Sequence, residues 1–303
     1  MTEKPRIPPR PGKAVLLEPG LRTVLAPNPS PMTLHGTNSY ILGEGEVAVI
    51  DPGPADPAHL AALLAALSPG ERVSHIFVTH AHLDHSPLAR PLAEATGAPV
   101  LAYGDARSGR SALMERLAAS GGLAGGEGVD TGFAPDIRLG DGEMVAGAEW
   151  TLQALHTPGH MGNHLCFAWQ DAVFCGDHVM GWASSLVSPP DGDMGAYMTS
   201  LARLGAAGAQ RFYSGHGDPI PDAPTRIAEL AAHRRERETA IREALSQGAA
   251  DAAILAAMIY TETPAPLMPA AMRNVFAHLI DLMERNIAAP EVDPGIDVRF
   301  RLL

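Results

Sequence analysis

Apolar positions along the chain fall into two kinds of run. Short β-branched or aromatic runs bounded by Gly, Pro and Asp recur through residues 21–213, and beyond residue 222 almost only helical spacing remains. The first kind predicts strands over 21–25, 39–42 and 47–50, with Gly43-Glu44-Gly45-Glu46 turning between the last two. Asp56-Pro57 opens a helix to about residue 67, the carboxylate capping it and the proline taking the first helical position. A buried strand over 73–79, a helix over 87–95 and a short strand over 100–102 continue a β-α-β-α rhythm. The segment 105–133 breaks that rhythm with one helix near 111–119 and a glycine-rich run, 121–128, read as a mobile loop. Strands return over 143–145, 150–155, 164–169 and 172–175, followed by a helix over 194–204 and a strand over 211–213. Two halves of strands and helices predict an α/β chain in which two mixed sheets pack face to face with helices outside, a four-layer αββα sandwich. Residues 1–20 read as an irregular lead-in.

From Asp222 the pattern predicts helices: one to about residue 247 ended by Gly248, one over 251–260, and one beginning at Pro269. The last carries Met272, Val275, Phe276, Leu279 and Met283 on one face, a core stripe or a homodimer contact. With a final strand over 298–302 this describes a helical, winged-helix-like unit. The expected domains are therefore 1–221 and 222–303.

Composition narrows the class. At 303 residues, 46% hydrophobic and 18% charged, the chain has material for a large core and too few charges for disorder. A net charge of −12 disfavours nonspecific nucleic-acid binding, which is mostly electrostatic. No stretch approaches the roughly 20 apolar residues of a membrane helix, so no membrane partner is expected. Residues 1–12 are Pro- and Arg-rich without an apolar signal region, which points to the cytoplasm. The two cysteines, Cys166 and Cys175, face each other across a hairpin if Gln170-Asp171 is its turn, and are expected as free thiols.

The chemistry is concentrated at strand ends. The run over 73–79 delivers His80-Ala81-His82-Leu83-Asp84-His85, three imidazoles and a carboxylate with the composition of a divalent metal site. Three later runs end alike, in Thr157-Pro158-Gly159-His160, in Cys175-Gly176-Asp177 and in Ser214-Gly215-His216-Gly217. Strand tips at one sheet edge converge, so the seven residues His80, His82, Asp84, His85, His160, Asp177 and His216 can reach one centre, with glycine permitting close backbone approach. Asp51, at the tip of the 47–50 strand, is expected to accept a hydrogen bond from one of these imidazoles. His164 reads as a supporting residue, and His156 and His178 as structural. Asn38 and Tyr40 sit near the same rim. Arg273, Arg285, Arg299 and Arg301, interleaved with acids, read as a solvated surface.

HAHLDH, TPGH, CGD and SGHG in this order resemble the signature of the metallo-β-lactamase superfamily over about residues 37–219. The resemblance implies the αββα metallo-β-lactamase fold and two metal ions per chain, usually Zn2+, with Mn2+ or Fe2+ as alternatives. One ion would take His80, His82 and His160; the other would take Asp84, His85 and His216; Asp177 would bridge. Asp84 and Asp177 are the side chains expected to act in catalysis, beside a water or hydroxide held between the ions. His82 stands where oxygen-reducing di-iron members have glutamate, which favours hydrolysis, and Asp177 where class B β-lactamases often have cysteine. The helical unit and Pro189-Pro190-Asp191-Gly192-Asp193-Met194 resemble the lactamase-β-2-like branch, whose animal members cleave single-stranded RNA, whereas Ser86 departs from the glycine often found after the histidine cluster. The expected activity is therefore dinuclear hydrolysis of a phosphodiester in single-stranded RNA. The alternative is a small thioester, ester or lactone, as in glyoxalase II, and the second alternative a nucleic-acid-binding regulator with a vestigial site.

Overall fold

The computed structural model describes residues 10–121 and 128–303. Residues 1–9, the first part of the expected lead-in, and 122–127, most of the glycine-rich run, lie outside the described residues.

Seven strands form the first sheet in chain order: β1 (Ala14–Glu18), β2 (Leu21–Leu25), β3 (Asn38–Leu42), β4 (Glu46–Ile50), β5 (Arg72–Phe77), β6 (Val100–Ala102) and β7 (Ile137–Arg138). Strands β1 to β4 pair antiparallel, through short turns except for the longer connection 26–37 between β2 and β3, and from β4 to β7 the pairing is parallel. Parallel neighbours need crossovers; here α1 (Pro57–Ala65) joins β4 to β5 and α2 (Ala89–Thr96) joins β5 to β6. Asp56 caps α1 by accepting from Ala58 N at 2.7 Å. Strand β1 was not anticipated: its Ala14-Val15-Leu16 face is exposed, so the alternation that marks a half-buried strand is missing.

The second sheet runs β12 (Arg211–Ser214), β11 (Ala172–Gly176), β10 (Leu165–Trp169), β9 (Thr151–His156), β8 (Met144–Ala146). Only β11 and β12 are parallel, connected through α4 (Met194–Ala206). Gln170, at φ 54°, turns the β10–β11 hairpin, whose register sets Phe167 opposite Phe174 and hence Cys166 opposite Cys175; both are free and buried thiols.

Between the sheets lie Ile50, Phe77, Trp150, Phe167, Phe174 and Tyr213, with Phe77 packed edge-on against Phe167 at 5.1 Å. Each such phenylalanine contributes about 1.5–3 kcal/mol by leaving water. Leu63 of α1 and Leu92 of α2 cover the outer face of the first sheet. Tyr197, Leu201 and Leu204 of α4 cover the second, against Val173, Cys175 and Phe212. These are the four layers of the αββα sandwich that the alternation of elements predicts.

Beyond the sandwich come α5 (Ala223–Leu245), capped by Asp222 through Thr225 N at 3.0 Å, then α6 (Ala252–Ile259) and α7 (Met268–Glu284). A two-stranded sheet, β13 (Ala288–Pro290) with β14 (Phe300–Leu302), completes a helical, winged-helix-like region. Strand β13 escapes sequence reading because alanines and a proline carry little strand preference. Val275, Phe276 and Leu279 of α7 are buried against Ile241, Leu255 and Phe300, so this stripe packs within the chain. Helix α3 (Ala112–Ala119) inserts Leu113, Met114 and Leu117 into that same cluster. The excursion at 105–133 is therefore anchored on the C-terminal helices at its helical part. Among the described residues, no helix is long and apolar enough to cross a membrane.

Candidate metal centre

Strands β4 and β5, and in the second sheet β9, β11 and β12, end at one edge of the sandwich, and the chemical residues lie just past those ends. His80 Nε2 lies 2.9 Å and His160 Nε2 lies 3.0 Å from His82 Nδ1, so three imidazole nitrogens face one point. Asp84, His85, Asp177 and His216 form the second group. There, His216 Nε2 is 3.2 Å from both Asp84 Oδ2 and Asp177 Oδ2, and His85 Nε2 is 3.4 Å from Asp84 Oδ2 and from Asp177 Oδ1. Asp177 Oδ2 also comes within 3.9 Å of His160 Nε2, which puts this carboxylate between the groups. All seven residues singled out from the sequence are thus brought together.

The other ring nitrogens show which atoms face inward. Leu186 O and Gly36 O can only accept, so His160 Nδ1 (2.7 Å) and His216 Nδ1 (3.1 Å) carry the protons there. Thr79 Oγ1 donates to Asp51 Oδ2 at 2.8 Å and is left to accept from His80 Nδ1 at 2.9 Å. Asp51 Oδ2 also accepts from His85 Nδ1 at 2.9 Å, the role expected for this residue. With Nδ1 so engaged, these four imidazoles turn Nε2 toward the centre, the nitrogen that a metal would take. His85 Nε2 and Asp177 Oδ1 are buried and have no hydrogen-bond partner among the described residues. Two orphaned polar atoms aimed at a centre of imidazoles and carboxylates fit a divalent cation and little else.

The protein's own charges distinguish the groups. Burial, then the neighbouring His85, holds His80 well below its usual range; burial and His160 push His82 down to about 3. Both rings are therefore neutral, the form a metal would take. In the second group burial alone would lower His216, but Asp177 and Asp84 carry it up to about 9. Asp84 and Asp177 are raised by burial, yet His85 and His216 hold both well below the usual carboxylate range. Here two carboxylates are paired with two imidazoles that favour a positive charge, and a cation held by this group would take the imidazoles' place in balancing the acids.

Several supporting residues were not visible beforehand. Thr79 adjoins the cluster in sequence, which is a usable signal. Leu186 acts through its carbonyl, which no side-chain pattern reveals. Asn38 and Tyr40 brace the segment before His216: Asn38 Nδ2 donates to Ser214 O (3.1 Å) and Gly217 O (2.8 Å), and Tyr40 OH to Ser214 O (2.6 Å). His164 is buried behind His80, ring centroids 5.1 Å apart, and pairs with Thr157 Oγ1 at 2.9 Å. His156 stacks on Tyr103, and His178 lies against Tyr197. Arg273 departs from the solvated reading, since its Nη1 donates to Ser188 Oγ at 3.0 Å beside the site. Arg285 fits that reading better, pairing with Glu238 and Asp281.

A cavity of about 500 Å³ opens over the two groups and is walled by Met32, Leu83, Met180 and Leu186. Its described lining contains no lysine or arginine. Met32, Met180 and Leu186 also wall an adjoining groove that continues past Trp182 to Tyr260 and Leu267.

Residues 32–216 match the Metallo-beta-lactamase superfamily, and residues 252–293 match the Beta-lactamase associated winged helix domain. A lactamase-like protein from Aspergillus niger is 30% identical over 75% of this chain, and the chain spans 64% of that relative's length. An atrochrysone carboxyl ACP thioesterase from Paecilomyces divaricatus is 31% identical over 86% of this chain and 75% of its own length. A metallo-beta-lactamase family protein from Thermus thermophilus superposes with a TM-score of 0.75 at 28% identity, covering 95% of this chain and all (100%) of that one.

Proposed function

The chain belongs to the metallo-beta-lactamase superfamily, and from that premise we propose that it hydrolyses a thioester bearing an apolar acyl group, using two divalent metal ions, taken to be zinc. His80, His82 and His160 would hold one ion, Asp84, His85 and His216 the other, with Asp177 shared. A set rich in imidazole with hard carboxylate oxygens suits zinc. We also take residues 1–221 as the catalytic unit and 222–303 as a winged-helix-like unit.

The observation that carries the thioester reading is the wall of the cavity. Met32, Leu83, Met180 and Leu186 offer apolar surface, and no lysine or arginine stands in the described lining. A polyanionic strand needs cations along its phosphates as well as at the scissile one. A neutral acyl group needs only the apolar wall. The relative named as an acyl-carrier thioesterase supports the same choice. No comparable observation favours the endoribonuclease branch.

Bound at these residues, divalent ions supply Lewis acidity to the carbonyl and to the attacking water. The protein's part is arrangement. Asp84, its side chain 26% exposed, faces the cavity and would orient the water. Asp177 fixes the spacing of the two groups, and the methionine and leucine wall seats the acyl chain. Water oxygen bonds to the acyl carbon, the carbon–sulfur bond breaks, and carboxylic acid and thiol leave.

The test is a side-by-side assay of the zinc-loaded protein on acyl thioesters, lactones and single-stranded RNA. Thioester turnover exceeding RNA cleavage by orders of magnitude is expected. RNA cleavage at the higher rate would overturn the reading, and manganese- or iron-loaded samples with higher turnover would overturn zinc.

A further inference from the structure

We infer that Asn274 and Arg234, on the C-terminal helices α7 and α5, are positioning residues for the metal ligand His160, acting through the backbone of residues 185–188. The inference rests on the two-metal reading above.

The relay is short. His160 Nδ1 donates to Leu186 O at 2.7 Å, which fixes the tautomer and turns Nε2 toward His82. Leu186 sits in a segment with no regular secondary structure, so strand pairing does not fix its carbonyl. The C-terminal helices hold its neighbours instead. Asn274 Oδ1 accepts from Val187 N at 3.1 Å and from Arg234 Nη1 at 3.2 Å. Arg234 Nη2 donates to Ser185 O, and Arg273 Nη1 donates to Ser188 Oγ at 3.0 Å. Ser185 Oγ closes the other side on His178 O at 3.0 Å, next to Asp177. The residues on both sides of Leu186 are thus clamped, and its carbonyl is left pointing at the imidazole.

Burial makes this arrangement specific. Arg234 is only 1% exposed and lies over the Tyr197 ring at 5.1 Å. A guanidinium buried so deeply depends on protein acceptors, and Nη2 and Nη1 find them in Ser185 O and Asn274 Oδ1. A structural role alone would be met by any acceptors. Here one bond reaches the segment that orients His160 directly, at Ser185 O, and the other reaches it through Asn274, which holds Val187 N. The Leu186 side chain lines both the cavity and the adjoining groove, so the same clamp also sets part of the substrate wall.

The experiment uses the full chain and cobalt(II) as probe, titrated into metal-free protein and followed by its ligand-field absorption. Wild type is expected to take up two equivalents. Asn274→Leu removes the acceptor while keeping size, and should weaken one of the two binding steps roughly tenfold to a hundredfold and change that step's spectrum. Asn274→Asp keeps the acceptor oxygen and should restore both. Arg273→Met removes the bond to Ser188 Oγ at the outer end of the clamp and should weaken the same step by a smaller factor, so it serves if Asn274→Leu fails to fold. Wild-type affinities and spectra in whichever of these two variants folds would overturn the positioning role and leave the two-metal reading standing. A wild-type chain taking up no cobalt would instead overturn the two-metal reading.

Discussion

Asp51 Oδ2 accepts from His85 Nδ1 at 2.9 Å while the same carboxylate takes Thr79 N at 2.7 Å and Thr79 Oγ1 at 2.8 Å. One buried acid at the tip of β4 therefore orients ligands of both groups, His85 directly and His80 through Thr79. Asp51→Asn keeps the shape and removes the charge that favours a protonated Nδ1. It should lower metal affinity by about 10–100-fold in a chelator competition, with the melting temperature shifted by a few degrees at most. Unchanged affinity would mean that Asp51 serves the fold alone.

Gly215 packs where no side chain fits. A Cβ there would meet Asp177 Oδ1 and sit 2.6 Å from His85 Cε1. Gly215→Ala should displace both ligands and cut turnover at least a hundredfold, while the circular dichroism spectrum stays that of a folded chain. Near-normal turnover would show that the second group tolerates movement and is not a tight metal cage.

How much of this was legible follows from what each residue contributes. The strands delivering His80, His160, Asp177 and His216 are apolar runs ending in turn residues, so both the sandwich and the seven side chains stand in the sequence as local patterns. β1 and β13 do not, because exposed or alanine-rich strands owe their pairing to neighbours rather than to their own periodicity. Asn274 was invisible for another reason. Its role depends on meeting Val187 across 87 positions, and a backbone amide leaves no mark in the sequence. Helix α3 was read correctly as a helix, yet its packing on α5 and α7 is a tertiary fact.

Met180 lies between the cavity at the metal groups and the groove leading to Tyr260. Met180→Ala should join them more widely and shift preference toward longer acyl thioesters. A change of roughly tenfold in the ratio of kcat/KM for long over short chains is the scale set by a few methylenes. The measurement is a chain-length series; a ratio unmoved by the substitution would place the acyl chain elsewhere.

Acid should weaken the fold through His278 on α7. Burial, with Arg234 nearby, pushes its imidazole down to about 3, and neither ring nitrogen has a hydrogen-bond partner among the described residues. In the unfolded chain the ring titrates near 6.5, so between those values the unfolded state binds the extra proton. The stability is complete above pH ~6.5 and falls as the pH drops toward 3, by up to about 1.4 kcal/mol per pH unit from this residue. Urea midpoints measured from pH 7 to 4.5 should decline less steeply in His278→Leu than in wild type. Parallel declines would show that His278 is protonated without cost in the folded chain.

Seven residues at strand tips would hold two metal ions in one centre, with Asp177 shared between the two groups. Elemental analysis of the protein, loaded with zinc and dialysed, tests it most directly. The account predicts close to two zinc ions per chain for wild type and less than one for Asp177→Ala, with turnover lost in parallel. A wild-type chain retaining fewer than one ion, or an Asp177→Ala chain retaining two with full turnover, would contradict it.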